Sequence, residues 1–485
     1  MAVVPKMIST LKHLFATLWN AKIKVEPLVF LYMFVWSFYA PLYQQYYYVR
    51  FGTSLLQDTS FPLLNSSQPY CLNNSEIVKY ASEAGSHQVQ SLSNTLLSYG
   101  QLANRVPSII IVFIIGPLSD RYGRKAVLLV SAIGLALQSV LAVIITMQNL
   151  SPYWFILANL LSGVCGDITG ILAGAFSYVS DVSSKRWRSF RIGYTCAMFE
   201  VGVALGSFLC GLWLSNTNCD FIPPMWLVMG CSIGIVAWIL ILVKESLTDK
   251  DKVKAKETHP QLYTVLLNGL KLFAKGPSLW KRWAAVITLD ILFINAVGSS
   301  LVIVYFLKSP PFDAEPVTIG IYQALVSLSS AICASAVIFV TSVVLKLPDS
   351  VNAFLGVFFQ FAANMLMGFA RTNMEIYFIA LVHGVQVMGF ASLRTMLSKL
   401  VSPEQQGALF SVVVSSESVA ALLASLLWPL ILPVMLDIKL LCNSGSIYFV
   451  MAGFNVVAAP LVIALLVSEV RQTKFMTKYG YYSVN

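Results

Sequence analysis

The sequence predicts an all-α membrane protein of twelve transmembrane helices in two groups of six. Three observations predict it. Apolar residues make up 57% and charged residues 11% of the 485-residue chain, with a mean hydropathy of +0.74. A soluble protein of this size could not cover its surface with so few charges. The apolar residues gather in twelve runs, each near the roughly 20 residues that a helix needs to cross a bilayer. Lys and Arg are distributed very unevenly between the two sets of connections.

In order along the chain, residues 1–25 are expected to be cytosolic. Met7, Leu11, Leu14, Phe15 and Leu18 share a helical face beside Lys6 and Lys12, which reads as an interfacial helix rather than a transit peptide. Span 1 (26–48) then acts as a signal anchor. Residues 49–93 form a luminal or extracellular loop with glycosylation sequons at Asn65 and Asn73. Asn149 also begins a sequon, but it lies against the membrane ahead of Pro152. Spans 2 to 6 follow at 94–116, 126–147, 153–178, 192–214 and 224–243, completing an N-terminal bundle over 26–243. Residues 244–283 form a basic cytosolic loop, with a second interfacial helix at 261–273. Spans 7 to 12, at 284–307, 318–345, 351–370, 375–399, 407–432 and 446–468, form a C-terminal bundle over 284–468. Residues 469–485 are a cytosolic tail.

The net charge of +10 raises the question of nucleic acid. Its distribution answers it: 25 Lys and Arg fall on the side of the N-terminus, counting Lys399 at the inner end of its span, and 5 on the other, with Arg105 and Arg394 deeper inside spans. The basicity is therefore a topology signal that also favours anionic lipid headgroups, and nucleic-acid binding loses its support. Cys71, Cys219 and Cys442 fall in outside loops, where an oxidising compartment permits one disulfide among them. No metal-spaced His/Cys cluster, P-loop or Gly-x-Ser-x-Gly elbow appears. The reading is of a non-enzyme with no cofactor or metal.

Residues 116–125 read Gly-Pro-Leu-Ser-Asp-Arg-Tyr-Gly-Arg-Lys. Gly116 permits close helix approach, Asp120 can accept from a helix N-terminus and pair with an Arg, and Gly123 makes the turn. This segment resembles the signature of the major facilitator superfamily, in the matching place between spans 2 and 3. The resemblance implies two six-helix bundles around a central cavity, rocking for alternating access. It implies gating roles for Gly116, Asp120, Arg121, Gly123, Arg124, Asp181 and Arg188.

A narrower likeness extends along nearly the whole chain. Val25-Glu26-Pro27-Leu28, Cys165-Gly166-Asp167, Asp181-Val182-Ser183-Ser184, and the block from Arg394 to Val401 followed by Glu404 to Ser411 are similar to solute carrier family 46, which includes the proton-coupled folate transporter. This chain departs from that transporter. Its coupling Glu aligns near Cys196, with Glu200 one turn later. Its span-7 His aligns near Asn295, its cysteine between spans 7 and 8 is missing near Phe312, and its span-11 Asn is replaced by Glu417, as in the family's lysosomal branch. Folate specificity is therefore not carried over.

A charge at mid-bilayer costs roughly 2.5–3.5 kcal/mol, so the eight ionisable residues within spans need reasons. They are Glu26, Arg105, Asp167, Glu200, Asp290, His383, Arg394 and Glu417, and spans 3, 6, 9 and 12 have none. Glu200, Glu417, Asp290, His383 and Asp167 are candidates for proton coupling, since a buried carboxylate can take up a proton on one side and release it on the other. The rival reading pairs each acid with an Arg to fix helix packing. Arg394 is the strongest substrate candidate, because its fork holds a carboxylate or phosphate with two bonds. Arg105, Tyr43, Tyr46 and Asn295 are further candidates. The tyrosines also suit an interfacial aromatic belt.

The tail ends Gly480-Tyr481-Tyr482-Ser483-Val484-Asn485, a Gly-Tyr-x-x-Φ sorting pattern carried by Gly480, Tyr481 and Val484. It is expected to engage endosomal adaptors and to direct a monomer to lysosomal, endosomal or plasma membranes. The functional expectation is a proton-coupled symporter carrying organic anions or small amphipathic metabolites (folate-like, peptide or muropeptide-like, or nucleotide-like) into the cytosol. Its partners are then the solute, protons and the bilayer. The alternative is a transporter-shaped receptor or scaffold without turnover.

Overall fold

A computed structural model gives the structure. It describes residues 24–58, 83–216, 220–247, 271–274, 278–308, 312, 316–437 and 445–478. The N-terminal amphipathic segment, Asn65, Asn73, Cys71, Cys219, Cys442, most of the middle loop, and Gly480, Tyr481 and Val484 lie outside the described residues.

Among the described residues the architecture is all helical, and twelve helical passes align with the twelve apolar runs. They are α1 (Glu26–Asp58), α2 (Glu83–Tyr122), α3 (Arg124–Met147), α4 (Trp154–Val164 and Asp167–Val182), α5 (Arg188–Asn216) and α6 (Ile222–Leu242). The second half comprises α7 (Leu279–Lys308), α8 (Pro316–Ile332, continued by Cys333–Val337 and Phe339–Val344), α9 (Asp349–Phe369), α10 (Asn373–Gly384 and Val387–Lys399), α11 (Gln406–Asp437) and α12 (Ser446–Lys478). Eleven of these passes are long and apolar enough to cross a membrane. The remaining one, α1, has Tyr, Trp and Gln interspersed among its apolar residues.

Two boundaries differ from the sequence reading. α1 runs on to Asp58 and α2 begins at Glu83, so part of the 49–93 segment is helix. Polar residues extend a helix once its apolar stretch has nucleated it. In the middle loop, residues 271–274 are helical. They dock on α7 through Arg282, which donates to the Leu272 carbonyl (2.6 Å), and Trp283, which donates to the Phe273 carbonyl (2.8 Å).

Packing follows a twofold repeat. The pairs α1–α5, α2–α4, α3–α6 and α3–α4 of the first half recur as α7–α11, α8–α10, α9–α12 and α9–α10 in the second. Helices α3, α6, α9 and α12, the passes without ionisable residues in their spans, pack within their own halves and turn large apolar side chains outward, among them Ile144, Ile241, Phe358 and Val457. The halves meet through α2 and α4 against α11, and through α5 against α8 and α10.

Both helices at the α4 and α10 positions of the repeat break in mid-span. α4 breaks at Gly166 (φ 93°) and Asp167 (φ 40°), where glycine's freedom is needed for the left-handed turn. α10 breaks after Gly384, around Val385 and Gln386. In α8 the two π-helical stretches bring the Ala334 carbonyl close to Gly193 of α5. Such bulges commonly mark functional positions.

Candidate functional site

The end of the molecule bearing residues 116–125 is closed by contacts between the halves. Asp120 accepts from the Gly407 and Ala408 backbone N–H groups at 2.8 Å each, capping the start of α11. It also pairs with Arg124 at 2.5 Å, and Arg124 reaches Asp181 at 2.9 Å. Gly116 lies against Ser411 and the Gly407 carbonyl, so that α2 and α11 nearly touch there. Gly123 has φ 116° and turns the chain directly into α3. Arg121 lies beside the Tyr122 ring, at 5.6 Å from its centroid. Arg188 donates to the Ser398 carbonyl at 3.2 Å across the interface. Lys399 joins Asp349 (2.5 Å) and Ser189 (3.3 Å) into a second bridge between the halves.

The sequence reading did not single out Glu245. It accepts from the Arg124 N–H (2.8 Å) and caps α3 from the end of α6. Glu469 of α12, just past its apolar run, accepts from the Ser350 N–H (3.2 Å) at the start of α9, the same device in the second half. An acid following the sixth and the twelfth apolar run was the available signal.

Behind this closure lies a cavity of about 310 Å³ between the halves. Its walls come from α4, α5, α7, α8 and α10, with Phe176, Phe199, Phe293 and Phe390 as aromatic faces. Polar groups are few: Cys196, Glu200, Ser300, Gln323, Ser327, Ser330, Gln386 and Arg394. It extends from Arg394 toward Ser300 and Gln323, at the end away from the 116–125 segment.

Arg394 is buried, and both arms of its fork are engaged. Its Nε donates to Glu417 Oε1 (3.1 Å) and its Nη2 to Glu417 Oε2 (2.8 Å). Its Nη1 lies 3.6 Å from Cys196 Sγ, and the guanidinium sits over the Phe176 ring at 4.7 Å, with Phe390 at 5.9 Å. Arg394 thus meets both the acid of its own half and two side chains of the opposite half. Glu200, one turn beyond Cys196, lines the same cavity and has no hydrogen bond or ion pair among the described residues. Asp290 lies nearby in α7, accepting from Ser416 (3.0 Å), the neighbour of Glu417.

Other candidates lie elsewhere. Asp167 accepts from Ser162 (2.9 Å) and Tyr32 (3.3 Å) inside the first half. His383 is buried, with Nδ1 at 3.1 Å from the Tyr322 hydroxyl. Glu26 is fully buried and accepts from Arg191 (Nε, 3.0 Å), tying α1 to α5. Two substrate candidates turn away from the cavity. Asn295 donates to the Met451 carbonyl (3.2 Å) and to Asn455 (3.0 Å), so it faces α12. Tyr46 packs against Phe155 (5.7 Å) and Phe221 (5.5 Å) within the first half. Tyr43 is half-buried between Tyr39 and Tyr47. The described cysteines, Cys165, Cys196, Cys210, Cys231 and Cys333, are free thiols.

A paired-half helical bundle with a charged cavity between its halves defines a membrane transporter. The family model described as Major Facilitator Superfamily matches residues 27–425, and the chain belongs to that superfamily. It is a multi-pass membrane transporter and not an enzyme. Among curated proteins it is 27% identical over 407 residues to the lysosomal proton-coupled steroid conjugate and bile acid symporter SLC46A3 of Gallus gallus, covering 81% of this chain and 84% of that one. It is 26% identical over 441 residues to the proton-coupled folate transporter of Rattus norvegicus, covering 87% and 89%. Both relatives are members of solute carrier family 46, the likeness that the motifs carry. Among solved structures, it resembles the human organic anion transporter MFSD10 (TETRAN) with a TM-score of 0.68 at 16% identity, covering 91% of this chain and 98% of that one. It resembles the E. coli fucose:proton symporter FucP with a TM-score of 0.62 at 14% identity, with the same coverages.

Proposed function

We propose that the chain is a proton-coupled symporter that carries organic anions or small amphipathic metabolites from the lumen or exterior to the cytosol. The observation that carries this reading is the two-bonded Arg394–Glu417 pair in an aromatic cavity that also holds Glu200, which has no ion pair among the described residues. An anion alone would add an uncompensated charge to a buried site. An anion arriving with a proton does not. Protonated Glu417 releases the fork, the anion takes its place on Arg394, and the net charge of the site is unchanged. Glu200 lies in the same cavity and is placed to receive the proton before Glu417 does.

In this reading the end bearing the 116–125 segment is cytosolic and the structure is outward-facing. Rocking then breaks the Asp120–Gly407, Arg188–Ser398 and Ser189–Asp349 contacts and opens the cavity inward. The named activities of the relatives, proton-coupled carriage of steroid conjugates, bile acids or folate, support the proton and the organic anion as classes. The tail motif and one relative's lysosomal name support endosomal or lysosomal residence, with plasma-membrane presence as well. Sorting adaptors that read Tyr481 would direct it there.

Counterflow in proteoliposomes tests the function, using a panel of bile acids, steroid conjugates, folates, small peptides and nucleotides. Exchange of at least one anion, lost in Arg394→Ala, is expected. Binding without exchange would instead mean a receptor that does not turn over.

A further inference from the structure

Arg105 has no part in the scheme above, and its setting is unusual. It lies in the membrane-spanning part of α2, half-buried, and has no hydrogen bond or ion pair among the described residues. A guanidinium kept within a span without a partner requires a compensating function.

The face of α2 that carries Arg105 is not its lipid face. Leu102, Val106, Ile110 and Ile114 form an exposed apolar stripe at four-residue spacing. Asn94, Ser98 and Gln101 form a second exposed stripe, entirely polar, that reaches Arg105 at the following turn. Asn94 lines a cavity of about 400 Å³ with Gln44 and Gln45 of α1. A polar, exposed track thus descends from that cavity to Arg105. Further along α2, Ser108 donates to the Gly166 carbonyl of α4 and Gly116 meets α11, so the surroundings of Arg105 belong to the inner side of the bundle.

The groups that interact electrostatically with Arg105 are Asp167 and Tyr43. Asp167 accepts from Tyr32 and Ser162 rather than from Arg105. Asp167 and Phe176 belong to the same helical segment, Asp167–Val182. At 1.5 Å per residue they lie about 13 Å apart along its axis. Arg394 sits over Phe176. The two intramembrane arginines are therefore offset by about that length along the molecule, one on each half.

We propose that Arg105 is a second anion site, and that the transporter selects elongated amphipathic anions with negative charge at both ends and an apolar middle. This rests on the assignment of Arg394 as the first anion site. One end replaces Glu417 on Arg394, the middle leaves the Phe-lined cavity along α4 past Leu172 toward Asp167, and the other end is held by Arg105. Binding at Arg105 ties the substrate to the first half and binding at Arg394 ties it to the second, so a doubly charged molecule bridges the halves.

The test uses the full chain purified in detergent, with dodecanedioate and its monomethyl ester as probes. They share one chain length and differ by one carboxylate. Wild type is expected to bind the diacid about tenfold or more tightly than the ester, the scale of one charge-assisted contact. Arg105→Gln should abolish that preference by lowering diacid affinity to that of the ester, whereas Arg105→Lys, which keeps the charge, should retain most of it. Arg394→Gln should weaken both probes. If the preference is absent from wild type or survives in Arg105→Gln while Arg394→Gln still weakens both, the second site is wrong and the first stands. Equal binding by all variants, or none by wild type, overturns both sites.

Discussion

Arg394 and Glu417 face each other across adjacent helices with two hydrogen bonds, 3.1 and 2.8 Å, sealed between the rings of Phe176 and Phe390. In the proposed function the pair is a lock whose key is a proton. It holds the cation in the bilayer when no substrate is present, and it supplies the position that an anion must take.

Breaking a buried ion pair from one side typically costs about 3–5 kcal/mol. Arg394→Ala and Glu417→Ala should each lower the midpoint of thermal unfolding in detergent. The double variant should be more stable than the sum of the single losses implies, because it leaves no orphaned charge. Additive losses would mean that the pair contributes nothing as a pair.

Glu200 has no partner to lose among the described residues. Glu200→Gln should leave unfolding nearly unchanged and flatten the pH dependence of uptake. With the proton bound together with the anion, apparent affinity in wild type rises as the pH on the cavity side falls, by at most about tenfold per pH unit for one coupled proton. A variant that keeps the wild-type slope would remove Glu200 from the proton path.

Asp120 caps α11 from α2, and Ser177 lies beside the Gln406 carbonyl at the same closed end (3.4 Å). Asp120→Asn should favour opening there. In a Ser177→Cys background, alkylation by a membrane-impermeant maleimide applied from that end should rise severalfold in the Asp120→Asn variant. No change would mean that the cap does not gate.

Gly116 allows α2 to approach Ser411 and the Gly407 carbonyl. Gly116→Leu should hold this end apart and abolish uptake while leaving the protein folded and inserted. Wild-type uptake in that variant would show that close approach is dispensable.

The passes were legible because all but α1 are long apolar runs set off by turn residues and basic loops. The charged residues within spans were legible as exceptions to a strong background. Their partners were not. Asn295 was expected in the cavity and faces α12, because a nearly uniform apolar helix gives no sign of which side is inward. Tyr46 was expected near substrate and packs between Phe155 and Phe221, since interfacial and core aromatics share one composition. Glu245 and Glu469 went unnoticed because capping acids look like ordinary loop charge. The break in α4 had a Gly-Asp signature, while at that in α10 Gln386 accepts from Gln360 of α9 (2.6 Å), a contact between helices.

In the proposed cycle a proton travels with the anion because the anion takes the place of Glu417. Proteoliposomes with an internal pH dye test it most directly, using whichever anion of the panel shows counterflow. An inward anion gradient should acidify the lumen of wild-type vesicles with no imposed pH difference. Glu417→Gln should carry the anion without acidification or fail to carry it. Anion uptake by wild type with no proton movement, and at a rate independent of pH, would contradict the account.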